Sequence, residues 1–509
     1  MHDKLDRVHA GPFVQARSIL TRLPLKKGRY CLIPSTFDPG QEGEYILRIY
    51  SSGGILLKEL KKELPSPPRF FRKPKVAATS VCVSSVEGFK LPEGETGGIE
   101  AYCIIKCEGR EVNEMLFGCY EALVAGKARD AMVDMTGGIG EGLEMADFRT
   151  EQLKDRLFEL LHQAKSNLSL MCASIQAKNS SEMETKLSVG LVRGHAYSLT
   201  DVRKIPLKGT GLFSFFNREK IHMIRLRNPW GGVEWKGPWS DGSHEWTKVS
   251  ESEKKDLGLT FDENGEFWMS FDDFCRYFTH IDICHMMNTS FFTLKRSWKE
   301  SVAVGVWRRG TRAGGCGNHS TFLDNPQYLL DVITDEEELL VSLEQEDRRS
   351  SNFRTRGENY TIGFTIIKSP KVRLYATSYL GLQVNNRQQQ RCQRKMRDKQ
   401  FKGQSFSKLR RRCLRKRKLF VDGEFPPTGS SLFFSRPAPS DIVWKRPKDI
   451  VKDPKFFIDK ASADDFSQGI LGNCWFVAAC ACIAEDSNLW KKVVPEYREQ
   501  VFVPESRYA

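Results

Sequence analysis

The sequence lacks the features of a secreted or membrane protein. No apolar run in its 509 residues approaches the roughly 20 residues that a transmembrane helix needs. The first residues, MHDKLDRVHAGPFVQ, lack the apolar core of a secretory signal. The 14 cysteines follow neither metal-ligand nor disulfide-framework spacing, and the close pairs are Cys103/Cys107 and Cys480/Cys482. We therefore expect an intracellular, cytoplasmic protein with reduced thiols.

Net charge is small everywhere except in one segment. The chain carries +14, and Arg387–Lys418 alone holds fifteen Lys or Arg and one acidic residue, Asp398. This tract is low in complexity and poor in apolar residues, which predicts a disordered linker. A nuclear signal or a patch for an anionic membrane surface is the alternative. We do not expect nucleic-acid binding, because the only interleaved aromatic residues are Phe401 and Phe406.

The strongest chemical signal is the stretch DFSQGILGNCWFVAACACIAE, residues 465–485. A polar, glycine-rich approach leads to Cys474, and the small apolar residues after it predict a buried helix. The partial positive charge of a helix N-terminus lowers a thiol pKa and favours thiolate. Gln468, six positions earlier, can direct an N–H at a developing oxyanion. The pattern predicts a nucleophilic cysteine, whereas we interpret Cys480 and Cys482 as structural.

A nucleophilic thiolate needs a base, and the base needs an orienting amide. The run LVRGHAYSLTDVRKI places His195 in an apolar, strand-like segment, and IRLRNPWGGVEW places Asn228 at the end of another. QGILGNCWFVAA resembles the active-site helix of the calpains, the papain-like intracellular cysteine proteases. GHAY and RNPWG resemble the calpain histidine and asparagine motifs. The resemblance is specific, because three motifs match one family.

The resemblance implies calcium-dependent endopeptidase activity on protein substrates. Cys474 would be the nucleophile, and His195 would take its proton and later protonate the leaving amine. Asn228 would hold the imidazole, and Gln468 with the Cys474 backbone N–H would form the oxyanion hole. Trp230 would shield the hydrogen bond between asparagine and histidine.

The implied fold is α+β, with a papain-like core, split and incomplete, plus antiparallel β-sandwich (C2-like) segments. Seven segments are expected in order: 1–58, the second half of the calpain β-sandwich domain; 59–75, a linker; 76–112, a fragment of a C2 domain; 113–296, the His/Asn subdomain of the catalytic core; 297–370, the first half of the β-sandwich; 371–418, a basic low-complexity linker; and 419–509, the truncated Cys subdomain.

This order differs from that of the calpains, in which the cysteine half comes first, followed by the His/Asn half, the sandwich and the C2 domain. No single circular permutation relates the two orders. We therefore expect a shuffled and incomplete chain in which the active-site helix has too little apolar surface to pack against. Activity of this particular chain is then doubtful.

Calcium is the implied cofactor. Glu234, Asp241 and Glu266 match calcium-binding carboxylates of the calpain core, and Asp465 matches an acidic ligand of the cysteine subdomain. Hard oxygen ligands on loops suit calcium. Asn264 stands where the family usually has aspartate, which predicts weak binding, and a solvated acidic loop is the alternative interpretation.

No EF-hand loop of the D-x-D-x-D-G kind occurs in the sequence. We therefore expect no EF-hand small subunit, and a place in the calpain subgroup that ends in a C2 domain. The alternative function is a non-catalytic, calpain-derived scaffold that binds protein partners or membrane through its β-sandwich. The presence of all three catalytic residue types favours the protease.

Overall fold

The computed structural model describes residues 7–10, 12–51, 53, 55–60, 85–89, 102–107, 110–111, 120–208, 219–259, 261, 264–286, 298–348, 358–368, 406–418, 421, 426–433, 435–440, 442–450, 462–463, 466–469 and 471–493. The chain divides into two compact units. The sheet unit comprises residues 1–84, 106–111 and 287–409, and the core unit comprises 85–105, 112–286 and 410–509. Helices and antiparallel sheets both occur, so the chain has an α+β fold.

The described strands are β1 Arg7–Ala10, β2 Val14–Gln15, β3 Ser18–Thr36, β4 Gly43–Ser51, β5 Ile55–Leu60, β6 Ser85–Phe89, β7 Tyr102–Cys107, β8 Arg110–Glu111, β9 Ile139–Glu144, β10 Leu170–Ile175, β11 His195–Pro206, β12 Lys220–Arg227, β13 Glu266–Ser270, β14 His280–His285, β15 Lys299–Trp307, β16 Gln327–Gln345 and β17 Thr361–Lys368. The described α-helices are Ala128–Thr136, Glu151–Ser166, Glu251–Asp256, Phe271–Tyr277, Phe406–Lys416, Pro447–Ile450, Cys474–Ala484 and Ser487–Val493. None of these helices is both long and apolar enough to span a bilayer.

The sheet unit is built on an eight-stranded sheet in the order β1-β17-β3-β16-β4-β15, with β2 on β17 and β5 on β16. Strands from the first 60 residues therefore pair antiparallel with strands from residues 299–368. The long strand β16 pairs with β5 through Gln327–Val332 and with β4 through Leu339–Gln345. Apolar side chains alternate along these strands and form one buried cluster.

Aromatic side chains at the buried centre of this unit also make hydrogen bonds. The hydroxyl groups of Tyr45 and Tyr328 hydrogen bond over 2.9 Å, and Trp307 Nε1 donates to the Pro34 carbonyl over 3.2 Å. Gly305 faces the Tyr45 ring so closely that a Cβ atom there would overlap it. Burial of these aromatic side chains with their polar atoms hydrogen-bonded stabilises the sheet.

The core unit is built on a six-stranded antiparallel sheet in the order β13-β12-β11-β10-β14-β9. Successive strand residues point to opposite faces. On one face, Met171 and Tyr197 join the buried cluster formed with helix Glu151–Ser166. On the other face, Cys172 and Ser198 contact helix Cys474–Ala484. The sheet thus has helices packed against both faces.

Local sequence explains helix Glu151–Ser166, because its apolar residues recur at helical spacing. Thr150 caps the helix by accepting the N–H of Leu153 over 3.3 Å. Leu157, Phe158, Leu161 and Ala164 recur at helical spacing and are buried. The same pattern predicts the buried stripe and its orientation toward the sheet.

Two helices differ from expectation. The amphipathic run from Cys119 to Gly138 predicts a single helix, but the α-helix begins only at Ala128. Ala125 has a left-handed φ of +57° and is followed by glycine, which interrupts the helix. The basic tract was expected to lack structure, yet Phe406–Lys416 is helical. Its Leu, Lys and Arg residues are good helix formers, and local propensity outweighs low hydrophobicity here. Most residues of the two predicted linkers, 59–75 and 371–418, lie outside the described residues.

Candidate active site

Cys474 is the first residue of helix Cys474–Ala484, as the sequence predicts. All eleven residues of this helix are buried. Trp475 Nε1 donates to the Leu123 carbonyl over 2.7 Å, and Ser198 Oγ donates to the Ala478 carbonyl over 2.9 Å. The expectation that this helix lacks apolar surface to pack against is therefore wrong. Strands β10 and β11 and helix Ala128–Thr136 provide that surface.

His195 and Asn228 come together because β11 and β12 are adjacent antiparallel strands. His195 begins β11, Asn228 follows the last residue of β12, and Ser198 pairs with Arg227 across the ladder. Nε2 of His195 lies 2.8 Å from Oδ1 of Asn228. Both side chains are buried. The asparagine therefore fixes the plane of the imidazole.

The Asn228 amide is itself fixed by backbone groups. Its Nδ2 donates to the carbonyl oxygens of Gly232 and Val233, each over 2.9 Å, and its Oδ1 also accepts the backbone N–H of Trp230 over 3.0 Å. These bonds exclude the flipped amide, which would turn Nδ2 toward the histidine. Gly265 approaches the Asn228 carbonyl with a φ of +87°, where a Cβ atom would clash.

Trp230 connects the histidine to Gln468. Its ring lies 4.5 Å from the imidazole, centroid to centroid, and its Nε1 donates to Gln468 Oε1 over 3.0 Å. The backbone N–H of Gln468 donates to the Pro229 carbonyl over 2.9 Å. The structure therefore brings Gln468, His195 and Asn228 to one place, and Trp230 covers the imidazole.

The Cys474 thiol lies close to the histidine, because the backbone N–H of Ala196, the residue after His195, is near enough to favour the thiolate. Burial nevertheless raises the pKa of Cys474, although the N–H groups of Ala196 and Trp475 act in the opposite direction. The helix N-terminus does lower this pKa through the N–H groups of Cys474 and Trp475, but the expected net fall does not occur. Desolvation of the thiolate outweighs the backbone donors.

The histidine is neutral for the same reason. Burial lowers the pKa of His195 to about 4, against the opposing effect of its hydrogen bond with Asn228. Its Nδ1 atom is buried and has no hydrogen-bond partner among the described residues. At neutral pH the site holds an un-ionised thiol beside an un-ionised imidazole whose Nδ1 lone pair is unused.

Gln468 does not present a spare N–H in this state. Its Nε2 donates to the Leu471 carbonyl over 2.8 Å and to Oε1 of Glu184 over 3.4 Å. The side chain is buried in the position that the sequence predicts for an oxyanion donor. A substrate oxygen would have to replace one of these acceptors.

The remaining cysteines of the helix contact core atoms. Cys482 Sγ lies 3.7 Å from Cys172 Sγ and 3.2 Å from the Met171 carbonyl. Cys480 Sγ lies 3.9 Å from Met135 Sδ. Both thiols are buried, which agrees with their interpretation as structural.

The predicted calcium residues form only part of a site. The backbone N–H of Gly265 donates to Glu234 Oε1 over 2.7 Å, and the backbone N–H of Glu266 donates to Asn264 Oδ1 over 2.9 Å. Oε1 of Glu266 is 3.3 Å from Arg225 Nε. Asp241 lies in the turn before the short 3₁₀ helix His244–Lys248, and Asp465 lies outside the described residues.

No group of three or more His, Cys, Asp or Glu side chains that could hold a metal occurs in the part of the chain that the structure describes. The Glu266 carboxylate also accepts a hydrogen bond from Thr200 Oγ1 over 2.8 Å. Its charge is already balanced by Arg225. As arranged in the described part of the chain, Glu234, Asp241 and Glu266 do not form a calcium site.

Sequence reasoning missed several residues of the site. The backbone N–H of Ala196 and the carbonyls of Gly232 and Val233 carry no side-chain signal. Glu184 belongs to no motif, and only its acidic side chain in a polar loop before GHAY could have drawn attention. These groups became visible only through the contacts that the fold creates.

Comparison with known proteins identifies the relatives of this chain. The model of the calpain family cysteine proteases matches residues 114–285 and 420–509, slightly more than half of the chain. The model of domain III of the calpain large subunit matches residues 1–50 and 303–427.

Curated relatives include Calpain-5 of Mus musculus, 48% identical over 269 residues that cover 51% of this chain and 42% of the relative. Calpain-A of Drosophila melanogaster is 42% identical over 268 residues, covering 49% and 31%. The calpain-1 catalytic subunit of Rattus norvegicus is 37% identical over 268 residues, covering 50% and 35%. The chain spans less than half the length of each of these relatives. The motifs, the family models and these relatives agree that the chain belongs to the calpain family of cysteine proteases.

Proposed function

We propose that this chain is a catalytically competent cysteine endopeptidase that cleaves proteins. One observation carries the proposal: Asn228 fixes His195 over 2.8 Å at the start of β11, and the helix that begins at Cys474 packs on the same strand, where Ser198 Oγ donates to the Ala478 carbonyl over 2.9 Å. A nucleophile, a base and an orienting amide thus converge within one unit. Membership of the calpain family supports peptide hydrolysis as the reaction class. That this particular chain catalyses the reaction is what we propose in addition.

The reaction begins with proton transfer from the thiol to the unpartnered Nδ1 of His195. Sγ of Cys474 attacks the carbonyl carbon of the peptide, and the π electron pair moves to oxygen. The backbone N–H of Cys474 and an Nε2–H of Gln468 receive this oxyanion. Collapse breaks the C–N bond, and the imidazolium protonates the leaving amine. Water then attacks the thioester, His195 takes its proton, and the thiol is released.

The un-ionised resting pair determines how the first step proceeds. Separate ionisation of either group is disfavoured, since burial raises the pKa of Cys474 and lowers that of His195. Transfer inside a closed thiol–imidazole pair creates both charges together, and each stabilises the other at low dielectric. Formation of the Sγ–Nδ1 hydrogen bond on substrate binding is therefore the activating event.

The proposed domain assignment follows from which strands and helices pack together. Residues 1–58 and 297–370 form the two halves of the β-sandwich domain, supported by pairing of β3 and β4 with β15–β17. Residues 113–296 and 419–509 form the catalytic core, supported by packing of helix Cys474–Ala484 on β10 and β11. Residues 76–112 are assigned to a C2 domain, and 59–75 and 371–418 to linkers.

Calcium dependence is the second part of the proposal, and it rests on the family motif. Glu234, Asp241 and Glu266, with Asp465, would supply carboxylate oxygens once Glu266 leaves Arg225. Loss of that ion pair and Asn264 in place of an acid both predict weak, millimolar binding. Calorimetric titration of the full chain with calcium should show a heat of binding. This heat should be smaller in Glu266→Gln and unchanged in the surface control Glu251→Gln. No heat at millimolar calcium would remove this claim.

Two substitutions test the protease proposal. Cys474→Ala and His195→Ala should each reduce cleavage of a casein-type substrate by at least about 10⁴-fold, since these groups act as a unit. Cys480→Ala, in the same buried helix, is the matched control and should keep turnover. Retained cleavage in Cys474→Ala would refute the assignment. Absence of turnover in the unmodified chain, with and without calcium, would instead favour the non-catalytic scaffold.

A further inference from the structure

Glu184 lies beside the catalytic centre, between the short 3₁₀ helix Ser180–Glu182 and β11. Its backbone N–H donates to the Arg193 carbonyl over 2.8 Å, and the N–H of Arg193 donates to the Thr185 carbonyl over 2.9 Å. These bonds hold Glu184 opposite the residues that lead into His195. Its φ of +56° is left-handed, a conformation that non-glycine residues seldom adopt and that concentrates at functional sites.

The Glu184 carboxylate accepts a hydrogen bond from the Gln468 side-chain amide, whose N–H the proposed reaction needs for the oxyanion. Its Oε1 accepts a hydrogen bond from Gln468 Nε2 over 3.4 Å. Nε2 also donates to the Leu471 carbonyl over 2.8 Å, and Oε1 of Gln468 accepts Trp230 Nε1 over 3.0 Å. The contact with Glu184 is the longest of the three. It is therefore the one that a substrate oxygen replaces at least cost.

Glu184 also acts on the nucleophile through its charge. Burial raises the pKa of the Cys474 thiol, and the negative charge of Glu184 raises it further. Glu182, two residues earlier, pairs with Arg193 over 3.2 Å, whereas no ion pair to Glu184 occurs among the described residues. Glu184 is solvent-exposed, so water rather than an ion pair screens its charge.

We propose that Glu184 is a positioning residue that restrains the resting catalytic centre, holding the Gln468 amide and disfavouring the Cys474 thiolate until substrate displaces it. The proposal rests on the function proposed above, since it concerns the same nucleophile. On binding, the scissile carbonyl oxygen takes the Gln468 N–H that Glu184 releases. Among the described residues, the charged and titratable groups around the centre are His195, Tyr197, Glu184 and Lys186, whose Nζ lies 5.9 Å from the Trp230 ring.

The test is the rate of Cys474 alkylation by iodoacetamide as a function of pH, read by peptide mass spectrometry on the full chain. Glu184→Gln keeps an acceptor oxygen for Gln468 but removes the charge. Its alkylation midpoint should fall by about half a unit to one unit. Alkylation at neutral pH should then be about three- to ten-fold faster, in proportion to the thiolate fraction. Glu182→Gln, the same change two residues away, should leave the midpoint in place.

Glu184→Ala removes both the charge and the acceptor. It should show the same midpoint as Glu184→Gln and a higher kcat on a peptide substrate, because Gln468 is no longer held. An unchanged midpoint in Glu184→Gln overturns the inference, as does a kcat of Glu184→Ala no higher than that of Glu184→Gln. Alkylation does not require turnover. A lowered midpoint in a chain that cleaves nothing would therefore support the electrostatic role of Glu184 and contradict the proposed function.

Discussion

Replacement of Asn228 by alanine should affect both the stability of the fold and the orientation of the His195 imidazole, and the two effects can be measured separately. The side chain is fully buried and makes four hydrogen bonds: with His195 Nε2, the Trp230 N–H, and the carbonyls of Gly232 and Val233. Alanine removes all four bonds and leaves their partners in a buried site. The imidazole then loses the only contact that fixes its Nε2 among the described residues.

The cost to stability follows from those bonds. Each hydrogen bond contributes a net ~1 kcal/mol, and partly restored hydration reduces the sum, so unfolding should become easier by about 2–4 kcal/mol. The cost to catalysis is larger, because a misoriented imidazole fails in the transition state. We expect kcat to fall by about 10²- to 10⁴-fold, the range seen when the orienting member of a triad is lost.

A matched control exists in the sheet unit. Asn325 is buried and makes a similar set of bonds, accepting the Gly314 N–H over 3.0 Å and donating to the Gly315 and Phe322 carbonyls over 2.7 and 2.8 Å. Asn325→Ala should lose comparable stability in urea unfolding and keep kcat. If Asn228→Ala kept kcat within about three-fold while folded, the assignment of Asn228 as the orienting amide would be wrong.

Two further predictions concern buried charges. Arg129→Ala should destabilise the core unit by about 1.5–3 kcal/mol in urea unfolding, because it removes the guanidinium that contacts the buried Asp282 carboxylate over 3.0 Å and leaves His280 Nε2, also at 3.0 Å, as that carboxylate's partner; an effect below about 1 kcal/mol would refute the pairing's role. Because burial lowers the pKa of His195 to about 4, below the unfolded value near 6.5, the native state binds fewer protons than the unfolded state between these values. The free energy of unfolding should therefore fall by up to about 3 kcal/mol as pH falls from above 6.5 toward 4. His195→Gln, which lacks this titrating group, should lose correspondingly less stability over the same pH range.

The residues that the sequence identified share a strong local signal. The apolar run after Cys474 predicts a buried helix, and the structure has one from Cys474 to Ala484. The strand-like runs around His195 and Asn228 become adjacent strands, because antiparallel pairing of β11 and β12 is a short-range consequence of their order. Local periodicity and motif spacing suffice for such elements.

The residues that the sequence missed depend on contacts between distant segments. The direction of the Cys474 pKa is set by burial under β10 and β11, which no local pattern reports. Glu184 reaches Gln468 only through the fold, across 284 positions of sequence. Likewise, only the fold brings Arg225 next to Glu266, and this ion pair engages a carboxylate that the sequence predicts to bind calcium. Long-range burial and pairing, not residue type, decide these properties.

The claim most central to this account is that Cys474 becomes acylated by peptide carbonyl groups with His195 as its base. Rapid quench of the 509-residue protein with an ester or peptide substrate, followed by mass spectrometry of the tryptic peptide that contains Cys474, measures this directly. We predict a thioester adduct on Cys474 in the unmodified chain and in Cys480→Ala, and none in His195→Ala. Substrate cleavage without an adduct on Cys474, or an adduct that persists in His195→Ala, would contradict the account.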